Sequence, residues 1–165
     1  MRIKCKILTK RKSVRFFNKV KKLDYYDILG CVEAAMLAPS AHNVQPWRFK
    51  IIDSDEIISQ ISSVLKNNQW IITAPALVLV GMKKSEKIDD IKNYMAVGAA
   101  IQNLLLEAQY RGISTCWVGE CLNISMDSFL EWPVDLKLVA IVAMGFERGK
   151  NVNNVIRKDI SEIII

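Results

Sequence analysis

The stretch that most constrains this chain is Ala38-Pro39-Ser40-Ala41-His42-Asn43-Val44-Gln45-Pro46-Trp47-Arg48-Phe49. It joins an apolar, helix-like run over residues 27–38 to a strand-like run over residues 47–52. Pro39 and Pro46 each fix φ, remove a backbone donor and push the preceding residue out of the helical region, so a helix must stop here and the chain must turn. Between the prolines, Ser40, His42, Asn43 and Gln45 place a hydroxyl, an imidazole and two amides on a backbone with little freedom. That composition fits an ordinary turn, with Asn bonding its own backbone, and equally a segment that presents polar groups to a ligand.

The flanking periodicities predict helices and strands in turn. Basic and apolar residues over 2–11 predict a helix ending near Lys12. Asp24 and Asp27 mark a helix start, with Ile28, Leu29, Val32, Ala35 and Met36 on one apolar face. Trp47, Phe49 and Ile51 alternate with Arg48 and Lys50, as a half-buried strand should. Residues 53–56 cap a helix carrying Ile57, Ile58, Ile61 and Leu65. The amides of residues 67–69 fit a helix C-cap. Residues 74–82 read as a buried strand bounded by Pro75 and Gly81, followed by a charged connector over 83–90. Val97, Ala100, Ile101, Leu104, Leu105 and Ala108 mark one helical face; Ala96, Ala99 and Leu106 extend it round most of the cylinder. Such a helix is buried on nearly all sides, which one small domain achieves with difficulty, so it is expected at the centre of a two-fold interface. Gly112 ends it. Residues 113–120 read as a strand leaving into a glycine turn, 125–133 as a short helix capped by Ser125 and stopped by Pro133, and 136–145 as a second buried strand. The apolar end Ile163-Ile164-Ile165 is expected to dock, as an edge strand or on a partner.

A chain of 165 residues suits one domain over 1–165, and no apolar run approaches the length of a membrane span. The net charge of +6 is uneven: every charged side chain in residues 1–22 is Lys or Arg. A solvated basic face with a few phosphate-binding members accounts for this, and a nucleic-acid arm is the alternative. Cys5, Cys31, Cys116 and Cys121 have no zinc spacing with the single His42, and no secretory signal is visible, so free thiols in a reducing cytoplasmic setting are expected. Cys31 reads as core. No phosphate loop, Gly-x-Gly-x-x-Gly or Ser-His-Asp set is present. In residues 11–17, Arg11, Ser13 and Arg15 fall at alternate positions, which would project them to one side of an extended segment. Such a run serves either as surface decoration or as a clamp for phosphate.

Pro39-Ser40-x-x-Asn43-x-Gln45-Pro46-Trp47 resembles the signature of the FMN-dependent nitroreductase family. Arg11-Lys12-Ser13-Val14-Arg15 resembles that family's N-terminal Arg-Arg-Ser-Val-Arg segment. Thr115-Cys116-Trp117-Val118-Gly119 resembles its strand-to-glycine turn, with Ile113 and Ser114 as departures, and Arg157-Lys158 resembles its C-terminal basic pair. The resemblance implies an α+β, three-layer fold: a central mixed or antiparallel sheet flanked by helices, in an intertwined homodimer. It further implies FMN at the dimer interface. Arg11, Lys12 and Ser13 would hold the phosphate and ribityl end, Arg157 would complete the phosphate site, and Arg15 would face the pyrimidine edge of the ring. Asn67, with Gln69 as substitute, would bond the ring edge. Val118 and Gly119 would lie at flavin N5, with the backbone N–H of Gly119 directed at that atom. Pro39, Ser40, Asn43 and Gln45 would reach across from the other subunit. Trp117 fits either the pocket wall or the core. No side chain is assigned a catalytic role; His42 fits a solvated or structural residue as well as a proton donor. The implied activity is ping-pong transfer of two electrons from NADH or NADPH through FMN to a nitroaromatic, quinone or similar small molecule. Dehalogenation, azoline oxidation and flavin fragmentation are other chemistries of the same fold.

Overall fold

In the computed structural model, residues 4–83, 90–120, 130–149 and 155–165 are described. The apolar run Ala-Leu-Val-Leu-Val forms the centre of the molecule as β2 (Ala76–Lys83), buried from Ala76 through Met82. It pairs antiparallel with β1 (Trp47–Ile52) on one side and β4 (Leu136–Gly145) on the other; β3 (Ser114–Val118) lies beyond β4, giving the order β1-β2-β4-β3. The sheet is wholly antiparallel, the second of the two forms the resemblance allowed.

Because successive side chains alternate between faces, a strand buried on both sides feeds two cores. Val78, Val80, Val142 and Met144 enter one; Leu77, Leu79, Ile141 and Ala143 enter the other. Helices α2 (Tyr25–Met36) and α4 (Asp90–Tyr110) cover the first core. Helix α3 (Asp55–Val64), the turn Gln69–Thr73 and the N-terminal segment through Val14 and Phe17 cover the second. Three layers result. Helix α1 is one short piece, Lys6–Lys10, with residues 4, 5 and 11 of the expected helix outside it and residues 2 and 3 outside the described residues.

Local signals start and stop these elements. Asp24 caps α2 by accepting from the Tyr26 N–H at 2.7 Å, and Ser54 caps α3 by accepting from Ile57. Gly112, at φ 73°, ends α4: Gly112 N–H donates to Gln109 O and Ile113 N–H to Ala108 O at 2.8 Å. That pair of bonds is the Schellman arrangement, and the left-handed residue it needs is why Gly stands there.

Two burial expectations are corrected. The buried stripe of α2 is Ile28, Cys31 and Ala35, while Met36 is 52% exposed and Leu29 and Val32 are only half-buried. The small residues Cys31 and Ala35 let α2 approach α4, which turns Met36 outward. Helix α4 is not covered on nearly all sides within one chain. Asn93, Ala96, Val97, Ala100, Ile101, Leu104, Leu105 and Ala108 are buried, whereas Met95 is 71% and Ile91 66% exposed. Nor do residues 163–165 pair as an edge strand in this chain; residues 155–165 are exposed throughout, around a turn at Ile160–Glu162 closed by an Asp159–Glu162 capping box. The expected helix at 125–128, Cys121 and most of the 83–90 connector lie outside the described residues. No helix among the described residues is long and apolar enough to cross a membrane.

One buried group stands out. Asn93 is 1% exposed, and among the described residues neither its Oδ1 nor its Nδ2 has a hydrogen-bond partner. An amide desolvated without a partner costs about 1–3 kcal/mol, so Asn93→Leu, of similar volume, should raise the urea midpoint by the equivalent of roughly 1 kcal/mol. A lowered midpoint would mean that the amide is satisfied in solution.

Candidate functional site

Residues 11–17 are extended and lie along the outer edge of β3. Ser13 forms a parallel bridge with Thr115, and Val14 N–H donates to Thr115 O at 2.9 Å. Further on, Asn18 N–H donates to Phe146 O and Arg148 N–H to Phe16 O. Val14 and Phe17 point inward and are nearly fully buried, which sets the register of the whole segment. Arg15 is exposed; Arg11 and Ser13 are half-buried. All three bear electrostatically on the thiol of Cys116. Burial pushes that thiol up from its ordinary value, against the opposing charge of Arg15, a hydrogen bond from Ser13 and the charge of Arg11. Among the described residues no carboxylate pairs with Arg11 or Arg15. Lys12 points elsewhere, to Glu147 at 2.8 Å.

β3 ends at Val118, which is buried, and the chain leaves through exposed Gly119. A Cβ built on Gly119 would meet nothing within 4 Å, so the space beside this backbone is open. The next residue, Glu120, reaches back to the loop after α3. Its carboxylate accepts from the backbone N–H of Lys66 at 2.8 Å and of Asn67 at 3.0 Å, and from the side-chain amides of Asn67 and Asn68 at 3.4 and 2.5 Å. Asn68 is itself oriented by the Trp70 indole, which donates to its Oδ1 at 3.1 Å. These bonds, the Asn68 amide foremost, hold the Glu120 carboxyl below its usual range. Asn67 is thereby brought near the Gly119 turn, and it is no helix cap: α3 ends at Val64. Gln69 is exposed, with its carbonyl accepting from the Ser62 hydroxyl. Glu120 was missed in sequence; the available signal was an acid directly after a glycine turn, with a run of amides to receive it. Trp117 is not core. It is 42% exposed, and its ring lies 3.8 Å from where a Cβ on Gly98 of α4 would stand.

The proline loop is the strained part of the chain. His42, Asn43 and Gln45 have φ of 51°, 56° and 49°, all in the left-handed region that non-glycine residues avoid. Each costs about 1–2 kcal/mol, less for Asn. Bonds inside the loop hold it: Gln45 N–H donates to Ser40 Oγ and Asn43 N–H to Ser40 O, both at 3.0 Å. Buried Pro46 and Trp47 anchor its end, where Lys83 N–H donates to Pro46 O at 2.8 Å. The constraint leaves Pro39, His42, Asn43 and Gln45 exposed and Ser40 half-buried. A cavity of about 270 Å³ lies between Pro39, Ser40 and Ala41 and the α4 residues Lys92, Met95 and Ala96.

The sequence-predicted residues therefore fall into two groups in one chain, and the groups do not meet. Arg11, Ser13, Arg15, Asn67, Val118 and Gly119 assemble at the β3 edge, whereas Pro39, Ser40, Asn43 and Gln45 precede β1 at the other edge. With about 4.8 Å between neighbouring strands, three intervals separate these edges by roughly 14 Å. Arg157 stands on the exposed tail, and among the described residues no hydrogen bond or ion pair joins it to either group. Chemically the β3 group is rich in donors: two guanidinium groups without carboxylate partners, a hydroxyl, an amide, and an open glycine backbone. That set fits a flat anionic group with acceptors along one edge. No cluster of possible metal ligands occurs among the described residues.

Comparison with known proteins agrees with the architecture. The sequence profile of the Nitroreductase family matches residues 8–65 and 58–146. An Archaeoglobus fulgidus protein provisionally named NADH dehydrogenase/NAD(P)H nitroreductase is 28% identical over 150 residues, covering 88% of this chain and 86% of that protein. The iodotyrosine deiodinase of Thermotoga neapolitana is 26% identical, over 83% of this chain and 84% of its own. In three dimensions the chain is similar to a provisionally named nitroreductase of Desulfovibrio desulfuricans, solved in complex with FMN. The TM-score is 0.85 at 24% identity, covering 97% of this chain and 94% of the other. Matched along most of its length and built on the same three layers, the chain belongs to the nitroreductase family.

Proposed function

We propose that this protein is an FMN-dependent oxidoreductase that works as a homodimer, with two flavin sites formed between its copies. The observation that carries this reading is the placement of the two groups on opposite sheet edges, since a second copy is what brings a β1-edge loop to a β3-edge clamp. The uncovered side of α4 supports it: Ile91 and Met95 there, and Leu37 at the end of α2, are apolar and exposed. So does the ordered but exposed tail with its three isoleucines, a hazard unless covered.

In this arrangement Arg11 and Ser13 hold the phosphate, with Arg157 of the tail added to them. Lys12, tied to Glu147, contributes positive field rather than contact. Arg15 lies at the pyrimidine edge, where it favours negative charge. The Asn67 amide bonds the same edge, Val118 supplies an apolar floor, and Gly119 presents its N–H at N5. Pro39, Ser40, Asn43 and Gln45 of the second copy close the far side. The chemistry such a group supplies when bound is two-electron transfer, from NADH or NADPH to a nitroaromatic, quinone or similar acceptor. No side chain is assigned proton transfer; His42→Ala should leave turnover intact. The likeness to iodotyrosine deiodinase favours reductive dehalogenation as a second reading of the same site.

Titration with FMN tests the cofactor: the account expects a yellow, dimeric protein in sedimentation, while a colourless monomer whose affinity for nucleic acid falls steeply with salt supports the basic-domain alternative. Assays with a nitroaromatic and with an iodotyrosine separate the two chemistries. Arg15→Ala should retain flavin but lower its reduction potential, because a cation favouring the anionic reduced ring has gone; an unchanged potential would remove Arg15 from the ring edge. Gly119→Ala should leave thermal stability unchanged, since its Cβ enters open space, and should weaken FMN binding roughly tenfold or more, a loss of about 1.4 kcal/mol.

A further inference from the structure

The Glu120 carboxylate is unusual in what it bonds. It is an acceptor-only group, and every partner it takes among the described residues is a donor from one three-residue loop, Lys66 to Asn68. The Lys66 and Asn67 donors are exposed and Asn68 is half-buried, so most of these bonds do not rescue buried groups. What they do is mechanical. Glu120 follows Gly119 directly, and the loop carries Asn67, so the carboxylate ties the strand exit to the amide loop across more than fifty positions of sequence.

We infer that Glu120 is a positioning residue, which locks the Gly119 backbone and the Asn67 side chain into one rigid unit before the ligand arrives. The inference rests on the flavin reading above. It adds a role for an acid that touches no ligand in that reading. An amide at 120 cannot do the same work. Asn68 offers Nδ2 because Trp70 holds its oxygen, so the NH₂ of a glutamine at this position would oppose another donor. A glutamine would keep the Lys66 and Asn67 bonds through Oε1 and lose the Asn68 one. Aspartate, one methylene shorter, would fall short of the loop.

The benefit is pre-organisation. A loop and a turn already held in place lose little freedom when a ring docks against them, and that saving appears as affinity. Because Gly119 and Asn67 meet different atoms of the ring, whose charge changes on reduction, loosening them alters affinity for the oxidised and reduced forms unequally.

The test uses wild-type, E120A and E120Q full-length protein, with FMN as the probe. Amide hydrogen exchange at Lys66 and Asn67 is first measured without flavin. FMN dissociation constants and the reduction potential of the bound flavin follow. The expected result is faster exchange in E120A, FMN affinity lower by roughly tenfold, a displaced potential, and E120Q intermediate in all three. Unchanged exchange in E120A overturns the inference, even if wild type binds FMN normally. Faster exchange with affinity and potential both at wild-type values also overturns it, since the bonds would then be structural only. Wild type that takes up no FMN refutes the flavin reading itself, and does so before any variant is compared.

Discussion

A sheet whose central strands are buried on both faces has only its edges left for recognition, and everything polar in this chain is arranged by that constraint. β2 and β4 place apolar side chains above and below along almost their full length. Most of the sequence-predicted site residues thereby fall on the outer side of β3 and on the approach to β1. The N-terminal segment occupies the first. Because Val14 and Phe17 must be buried against the second core, Arg15 and Phe16 between them stay exposed, with Arg11 and Ser13 half-buried before them. The clamp is thus a by-product of hydrophobic register rather than of any attraction among cations, which repel one another. A ligand anion would relieve that repulsion.

The approach to β1 works differently. Its three left-handed residues are held by short backbone bonds and by two buried anchors, so the chain sustains strain in order to keep Asn43 and Gln45 facing out. Strain of this kind persists where surrounding structure over-determines it, and it concentrates where a fixed presentation matters. Among the described residues, the bonds of Asn43 and Gln45 stay within the loop and its neighbour Arg48. The uncovered side of α4 lines a cavity with this loop.

Much of this was legible in the residues. The two-sided strand at 74–82 announced itself by an unbroken apolar run, and the helix stop at Gly112 by residue type. The extended character of residues 11–17 also followed from the alternation of Arg11, Ser13 and Arg15. Other features were hidden for physical reasons. The buried stripe of α2 is decided by how closely Cys31 and Ala35 let α4 approach, which no single-helix pattern contains; Met36 was misplaced accordingly. The ion pair of Lys12 was also hidden, because sequence shows adjacency but not the direction of a side chain, and Glu147 lies 135 positions away. Glu120 was invisible for the same cause, since its bonds cross from strand exit to a loop more than fifty residues earlier. The left-handed backbone of His42 and Gln45 contradicts their residue preferences, so only the fold reveals it.

The claim beneath all of this is that each site takes its clamp from one chain and its loop from the other. Intersubunit complementation measures it directly, by mixing two variants that each bind no FMN as homodimers, Arg11→Ala in the clamp and Asn43→Ala in the loop. A mixed dimer of these variants has one site with both defects and one with neither. Unfolding and reassembling the pair together should therefore restore FMN to one of the two sites in each mixed dimer. If reassembly restores no binding at all, although mixed dimers form, then clamp and loop belong to the same chain's site and the account is contradicted.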